Sequence, residues 1–169
     1  IGLLSTTPDI EVKIKGDKSL NKRNMKKLIE LMSEFGTEFK PKKKYNFPLK
    51  LISTEMPVGI NYKAGVSAQL KSAVILAGLN SFGTTKILEE KKSRDHTENM
   101  LIKNSQAIKV KKGKKKIIQI FGKKKLKSIT IDVPGDPSSA AFFTALTLLN
   151  NNSSLKIKNV GLNPTRIGF

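Results

Sequence analysis

Two stretches of the chain are almost wholly apolar at helical length. The first follows Ser67 and contains Ser-Ala-Val-Ile-Leu-Ala-Gly-Leu after its single lysine. The second follows Asp136-Pro137 and contains Ala-Ala-Phe-Phe-Thr-Ala-Leu-Thr-Leu-Leu. A helix without a charged face is typical of a protein interior. The pattern predicts two buried helices, over about 67–79 and 138–149, the first of them closed by Gly78.

Two further stretches predict amphipathic helices that lie on the outside. In the first, Ser19 would cap a helix that runs to about Phe35 and stops at Gly36. Its apolar face consists of Met25, Leu28, Ile29, Met32 and Phe35. The second would open within 93–98, where Asp95 and Glu98 have the spacing of a capping box. In the first helix, charged residues fill the opposite face, which predicts contact with solvent.

Alternating or short apolar runs predict the strands, and glycines mark their turns. The run 40–46 predicts a basic loop. The predicted strands are 11–15, 49–53, 58–62, 84–89, a hairpin around 117–120, 129–133 and 155–160.

The order of outer helix, hairpin, buried helix and strand occurs twice, which indicates an internal duplication. Three pairs of residues share an offset of 71: Arg23 and Arg94, Ser67 and Ser138, Gly36 and Ala107. Arg166 follows Arg94 by 72 residues, so all three arginines fall at one phase of the repeat.

Charge and composition narrow the choice of partner. The 169 residues allow one domain or part of a larger one, and they carry a net charge of +19 with no cysteine. Of 32 basic residues, 32 − 3 leaves 29 lysines. Lysines spread through loops, with few aromatics, favour a solvated surface over a nucleic-acid groove. No apolar run has membrane-spanning length and the sequence contains no signal-peptide pattern, so we expect a cytoplasmic protein.

The three arginines lie where a cation is unfavourable, close to a helix start, unless an anion neutralises both. A helix capped by Ser67 also offers free N–H groups to an anion. The ordinary alternatives are a plain N-cap at Ser67 and solvated arginines. A bound phosphate or carboxylate would satisfy both features, and arginine supplies the planar fork that such groups prefer.

Five ordered motifs carry a resemblance to a known family. They are the segments 16–25, 67–73, 93–101, 133–142 and 163–166, and the fifth reads Asn-Pro-Thr-Arg. In this order and spacing they resemble 3-phosphoshikimate 1-carboxyvinyltransferases, the EPSP synthases. One departure is Asn24, where that family usually has proline, which predicts a less rigid presentation of Arg23.

The resemblance implies an α+β fold, an inside-out α/β barrel domain built from repeated βαβαββ units. About two of three units would be present, over 16–90 and 91–161, with 162–169 starting the crossover to the other domain. Because the chain begins at Ile1 and breaks off at Phe169, we expect it to be a fragment of the substrate-binding domain.

The resemblance also implies an enzyme that moves the carboxyvinyl group of phosphoenolpyruvate to the 5-hydroxyl of shikimate 3-phosphate. Ser67, Ala68, Gln69 and Arg94 would bind shikimate 3-phosphate, while Arg23 and Gln69 would bind phosphoenolpyruvate. No metal or cofactor is implied, and the full-length enzyme would be a monomer. The proton-transfer residues would lie elsewhere, so we expect the fragment alone to be inactive.

Two alternatives stay open. The UDP-N-acetylglucosamine enolpyruvyl transferases share the implied fold, but their sugar-nucleotide motifs are missing from this sequence. A basic nucleic-acid-binding module built on a related repeat is the other alternative.

Asp136 would repel an anion and is interpreted as an N-cap, so Ser138 and Ser139 receive no ligand role.

Overall fold

The computed structural model describes residues 1–168 and contains six helices and seven strands within that range. In chain order they are α1 (Gly2–Thr6), β1 (Glu11–Ile14), α2 (Lys18–Lys22), α3 (Lys26–Ser33), β2 (Glu38–Lys40), β3 (Leu49–Ile52), β4 (Asn61–Ala64), α4 (Ala68–Asn80), β5 (Thr84–Glu89), α5 (His96–Leu101), β6 (Ile108–Lys111), β7 (Lys116–Phe121) and α6 (Pro137–Leu148).

The strands form two sheets. The smaller is antiparallel, in the order β1-β3-β2. The larger has the order β4-β5-β7-β6, in which β4 and β5 are parallel and the other pairs antiparallel. Buried residues alternate with exposed or half-buried ones along β5 and β7, as a sheet with one covered face requires.

Helix α4 lies at the centre of the molecule, as its apolar sequence predicts. It contacts α1, α3, β4, β5 and β7. Val74, Ile75 and Ala77 are fully buried, and they belong to one core with the side chains of both sheets. Gly2 of α1 lies so close to Ala73 that a Cβ at Gly2 would clash with the α4 backbone. The helix that follows Arg23 is more exposed, which confirms that it lies outside α4.

Strand pairing itself repeats along the chain. Lys13 pairs with Lys50 in the small sheet, and Thr84 pairs with Phe121 in the large one. Both partners shift by the same amount, since 84 − 13 and 121 − 50 are each 71. The order β1-β3-β2 recurs as β5-β7-β6. The two copies therefore share their strand order as well as their sequence phase.

The first outer helix differs from its prediction because it is two helices. Asp17, rather than Ser19, caps α2 by accepting a hydrogen bond from the Leu20 amide at 2.7 Å. The backbone is extended at Arg23, and the side chain of Asn24 accepts from the Lys26 amide at 2.8 Å. This local asparagine bond competes with a continuous helix. The second helix ends at Ser33, before the predicted Phe35, and Gly36 follows in the turn at φ +101°.

Three boundaries also differ. The predicted strand 58–62 is β4 at Asn61–Ala64, and Val58 makes only an isolated bridge to Phe82. Strand β2 precedes the basic loop and was not predicted, because its three residues have no clear apolar pattern beside the lysine-rich segment. Gly78 does not end α4, because it lies inside the helix where the absence of a side chain admits Thr85.

The second half of the chain departs most from the prediction. Residues 129–133 and 155–160 form no strand, and pairing there is one bridge between Gly135 and Val160. Helix α6 forms where predicted, but only Pro137 of it is buried. Phe142 and Leu148 are 79% and 82% exposed. The prediction of a second buried helix is therefore wrong for this structure, because no layer among the described residues covers α6.

Candidate functional site

The start of α4 forms the floor of the candidate site. Ser67 is its N-cap, and its Oγ accepts a hydrogen bond from the Leu70 amide at 3.3 Å. The first N–H groups of a helix have no acceptor within the helix, and they carry a partial positive charge. Because the Ser67 hydroxyl acts here as an acceptor, its own proton stays available to a ligand.

A cavity of about 1260 Å³ opens above this helix start. Its lining includes all five residues that the sequence predicts for substrate binding: Arg23, Ser67, Ala68, Gln69 and Arg94. The two arginines come from different copies of the repeat, one from the break between α2 and α3 and one from the segment before α5. Small-molecule sites typically occupy about 300–1,000 Å³. This cavity is therefore large enough for two small ligands.

The charge of the cavity wall has one sign. Lys26, Lys27 and Lys63 line it together with the two arginines, and no aspartate or glutamate of residues 1–168 does. Two of these lysines pair with carboxylates outside the lining, Lys26 with Glu30 at 3.7 Å and Lys63 with Glu90 at 3.3 Å. The two arginines make no such pair within the cavity wall, and unpaired cations raise the local concentration of anions. Burial raises the pKa of Tyr62, so this wall residue keeps its phenolic proton at neutral pH and can donate it.

Arg94 is held through its two neighbours in the chain. Ser93 donates to Glu89 Oε1 from its amide at 3.1 Å and from its hydroxyl at 2.7 Å. Asp95 accepts hydrogen bonds from Asn163 at 2.8 Å and Thr165 at 3.2 Å. Its expected capping-box bond is absent from the described residues, because the carboxylate serves segment 163–165 instead. The Arg94 guanidinium makes no ion pair within residues 1–168.

Beneath the cavity lies a cluster of four charged side chains, three of them buried and one half-buried, which we call the ion cluster. Its members are Lys71 of α4, Glu89 of β5, Glu98 of α5 and Lys116 of β7. Lys71 Nζ lies 2.7 Å from Glu89 Oε1 and 2.8 Å from Glu98 Oε1. Lys116 Nζ lies 2.9 Å from Glu98 and 3.3 Å from Glu89. The Lys71 side chain is fully buried.

The second copy of the helix start is occupied from within. At α6, the N-cap Asp136 accepts from the Ser138 amide at 3.1 Å. Arg166 donates to Asp136 Oδ1 and to Ser138 Oγ, both at 2.8 Å. The hydrogen bond from the Ser138 amide and the charge of Arg166 hold the pKa of Asp136 below its usual range. The prediction that Asp136 acts as an N-cap is confirmed.

The sequence missed two parts of this region. Lys26, Lys27, Lys63 and Tyr62 of the cavity wall are ordinary residues in their local context, and only the fold brings them together. The ion cluster draws on four elements far apart in sequence, although a lysine in an apolar helix was a usable signal. Within the described residues, no group of three acidic or histidine side chains is arranged to hold a metal ion.

No helix within residues 1–168 combines the length and the apolar character needed to cross a bilayer.

Comparison with known proteins agrees with this geometry. The family model described as EPSP synthase (3-phosphoshikimate 1-carboxyvinyltransferase) matches residues 1–169. The curated protein of that name from Novosphingobium aromaticivorans is 44% identical over 169 residues, which is 98% of this chain and 38% of the relative. The Bacillus subtilis protein of the same name is 42% identical over 170 residues, which is 100% of this chain and 39% of the relative.

A solved structure described as EPSP synthase from Acinetobacter baumannii superposes with a TM-score of 0.77 at 34% identity. It covers 99% of this chain and 38% of its own. The fold and the cavity define the class of protein, a duplicated mixed α/β domain with a cationic cavity at the start of its central helix. Within that class, the chain belongs to the EPSP synthase family. It spans about two fifths of the length of the curated relatives that it matches.

Proposed function

We propose that this chain is the part of an enolpyruvyl transferase that binds the two anionic substrates, shikimate 3-phosphate and phosphoenolpyruvate. The reaction would move the carboxyvinyl group of phosphoenolpyruvate to the 5-hydroxyl of shikimate 3-phosphate. The family membership and the names of the relatives support the reaction. One observation carries the role of this chain: a single cavity without lining carboxylates, among the described residues, gathers Arg23, Gln69, Arg94 and the α4 start.

The proposed division of labour follows from chemistry and position. Ser67, the Ala68 amide and Arg94 would bind the phosphate of shikimate 3-phosphate, because a helix N-terminus and a guanidinium both suit a phosphate. Arg23 would bind phosphoenolpyruvate on the opposite wall. Gln69, exposed in the first turn of α4, would contact both substrates. Fixed donors of this kind hold the reactants together and stabilise developing negative charge.

We propose for the chain the organisation that the resemblance implies. Two repeat units, over about 16–90 and 91–161, would be followed by 162–169 at the crossover to another domain. The register shared by the pairs β1–β3 and β5–β7 supports a repeat of 71 residues. Proton transfer would be performed by residues outside this chain, and this chain alone would be inactive. We also propose a cytoplasmic enzyme that is a monomer at family length and needs neither metal nor cofactor.

The decisive experiment compares Arg94→Ala with Arg23→Ala in a protein of family length that contains this chain. Loss of a charge-assisted hydrogen bond costs about 1.5–3 kcal/mol, or roughly ten- to more than a hundredfold in affinity. Arg94→Ala should lose this affinity for shikimate 3-phosphate alone. Arg23→Ala should keep it and raise the KM for phosphoenolpyruvate. Titration calorimetry and steady-state kinetics measure the two effects.

Lysine replacements at the same two positions provide the matched control. Each should restore its function only in part, because lysine keeps the charge but loses the bidentate fork. Equal loss of shikimate 3-phosphate affinity in the two alanine variants would contradict the division of labour. If the protein instead bound nucleic acid tightly, with an affinity that falls steeply with salt and is unchanged in Gln69→Ala, the basic nucleic-acid-binding module would be favoured. Turnover of UDP-N-acetylglucosamine would favour the related transferases.

A further inference from the structure

The buried ion cluster connects the two halves of the phosphate site. Lys71 lies in the first turns of α4, two residues after Gln69, and Glu98 lies in α5, four residues after Arg94. Their ion pair of 2.8 Å joins the two helices inside the protein. A second bond runs beside it, since the hydroxyls of Ser72 and Thr97 are 2.8 Å apart.

The cluster also reaches the segment that carries Arg94. Glu89 Oε1 accepts from Lys71 at 2.7 Å and from the Ser93 hydroxyl at 2.7 Å. The Ser93 amide adds a third bond to the same oxygen at 3.1 Å. One carboxylate oxygen therefore ties the α4 lysine to the backbone directly before Arg94. Since Arg94 itself is exposed and makes no ion pair among the described residues, its position depends on these neighbours.

The other copy of the repeat carries apolar residues at two of the corresponding positions, although its helix is uncovered and Phe142 is 79% exposed. The residue 71 positions after Lys71 is Phe142, and the residue 71 positions after Glu89 is Val160. Buried ion pairs are seldom more stable than apolar replacements of similar volume. The charged version occurs in the copy whose helix start faces the open cavity. The copy with apolar residues has its helix start occupied by Asp136 and Arg166.

We propose that Lys71, Glu89, Glu98 and Lys116 are positioning residues for the substrate phosphate. They hold Ser93, and through it Arg94, at a fixed place relative to the start of α4. This inference rests on the proposed function, because it names the anion whose binding the cluster serves. The buried charges act only through Ser93 and Arg94, and they do not touch the substrate.

Ser93→Ala is the sharpest test, because it removes one bond to the cluster without leaving a charge unpaired. In a family-length protein containing this chain, we expect shikimate 3-phosphate affinity to fall about five- to tenfold, which corresponds to one hydrogen bond. Ser93→Thr keeps the hydroxyl and should stay near the parent. Ser81→Ala is the matched control. It removes a buried hydroxyl bond of 2.9 Å to Ala77 at the other end of α4, and it should leave affinity unchanged.

A double-mutant cycle decides whether the effect passes through Arg94. If it does, Ser93→Ala should change affinity little once Arg94→Ala is present. Additive losses in the double variant would overturn the inference, and so would an equal loss in Ser81→Ala. If Arg94→Ala alone left affinity unchanged, the proposed function would fail at its ligand assignment, whichever way the cycle turned out.

A measurement on the ligand-free protein distinguishes failure of the positioning role from failure of the proposed ligand assignment. The amide order parameter of Arg94 in the ligand-free protein should fall in Ser93→Ala and stay near the parent value in Ser81→Ala. An unchanged order parameter in Ser93→Ala would overturn the positioning role, even if the protein binds shikimate 3-phosphate as proposed.

Discussion

At the scale of single residues, Lys71 is the least expected feature of the molecule. Its ammonium group is fully buried, and it is stabilised by Glu89 and Glu98 at hydrogen-bonding distance. Removing one partner of a buried ion pair leaves a charge without compensation, which is far more costly than removing an exposed pair. The second carboxylate oxygen of Glu98 has no hydrogen-bond partner among the described residues.

We expect Lys71→Met to lower the free energy of unfolding by about 3–5 kcal/mol. Adding Glu98→Gln should recover part of this loss, because one lysine then faces one glutamate. Lys50→Met is the control, since its ion pair with Glu11 is exposed and should be worth about 1 kcal/mol or less. Urea unfolding of a family-length protein that contains this chain, monitored by circular dichroism, measures all three. A Lys71→Met loss as small as that of Lys50→Met would contradict the cost assigned to the buried charge.

The same cluster predicts how stability depends on pH. Burial raises the pKa of Glu89, but hydrogen bonds from Lys71 and Ser93 outweigh it and hold the pKa below its usual range. The stabilisation from Glu89 is therefore complete above the unfolded pKa, about 4.3, and is lost as the pH falls through the lower folded value.

Lys116 limits stability at the alkaline end. Burial lowers the pKa of Lys116, but its interactions with Glu98 and Glu89 outweigh burial and hold the pKa above its usual value. Its contribution is complete below the unfolded pKa of lysine, about 10.4, and is lost as the pH rises from there through the higher folded value. Unfolding free energies measured from pH 3 to 11 should show both losses, and Glu89→Gln should flatten the acidic one. An unchanged acidic slope in Glu89→Gln would contradict this assignment.

At the scale of elements, the sequence predicts those whose signal is local. Strand β5 has the predicted bounds, and α4 begins after the predicted Ser67 cap. Both have a strong pattern and a clear terminal residue. Helix α2 was misjudged, because a continuous apolar stripe conceals a break made by one asparagine side chain. The segments 129–133 and 155–160 alternate like strands, but a strand also needs a hydrogen-bonded neighbour.

In the candidate site, too, the residues with a local sequence signal could be predicted and those that depend on tertiary packing could not. Arg23, Ser67, Gln69 and Arg94 belong to short motifs, so the sequence could name them before the cavity was known. The ion cluster could not be named, because its four charges come from four elements and resemble surface residues in a chain with a net charge of +19. Their burial is decided by tertiary packing alone.

Gly36 provides a test at the level of a single element. It lies in the turn after α3 at φ +101°, and an added Cβ would lie 3.1 Å from Thr54 Oγ1. Gly36→Ala should therefore lower the unfolding free energy by about 1 kcal/mol or more. Gly113→Ala should be close to neutral, because its φ is not in the left-handed region and its nearest neighbour is 3.7 Å away. Equal effects of the two changes in thermal unfolding would contradict this account.

At the scale of the whole molecule, the apolar surface is unevenly distributed. The half around α4 has a continuous core, whereas α6 exposes Phe142, Phe143, Leu146, Leu148 and Leu149. Exposed apolar surface costs roughly 25 cal/mol per Å² relative to burial, and contiguous patches promote association. We therefore expect the 169-residue chain to fold poorly as an isolated monomer.

Dye binding and light scattering on the 169-residue chain test this expectation. The chain should bind a hydrophobic dye and associate, and Phe142→Gln with Leu149→Gln should reduce both effects. Met56→Gln is the control, because Met56 is 73% exposed but lies outside the α6 patch. A monodisperse monomer with a sharp thermal transition and no dye binding would contradict the prediction.

The two helix starts lead to a consequence for how the duplicated halves came to differ. At α6 the carboxylate of Asp136 occupies the position that faces Arg166 and Ser138, so the chain supplies its own anion. At α4 no carboxylate of the described residues lines the cavity, and Arg94, the counterpart of Arg166, faces the cavity without an ion-pair partner among them. The α6 helix start is therefore satisfied by a carboxylate of the chain itself, while the α4 helix start is left for an anion from outside. A single aspartate thus converts an anion-binding helix start into an internal contact.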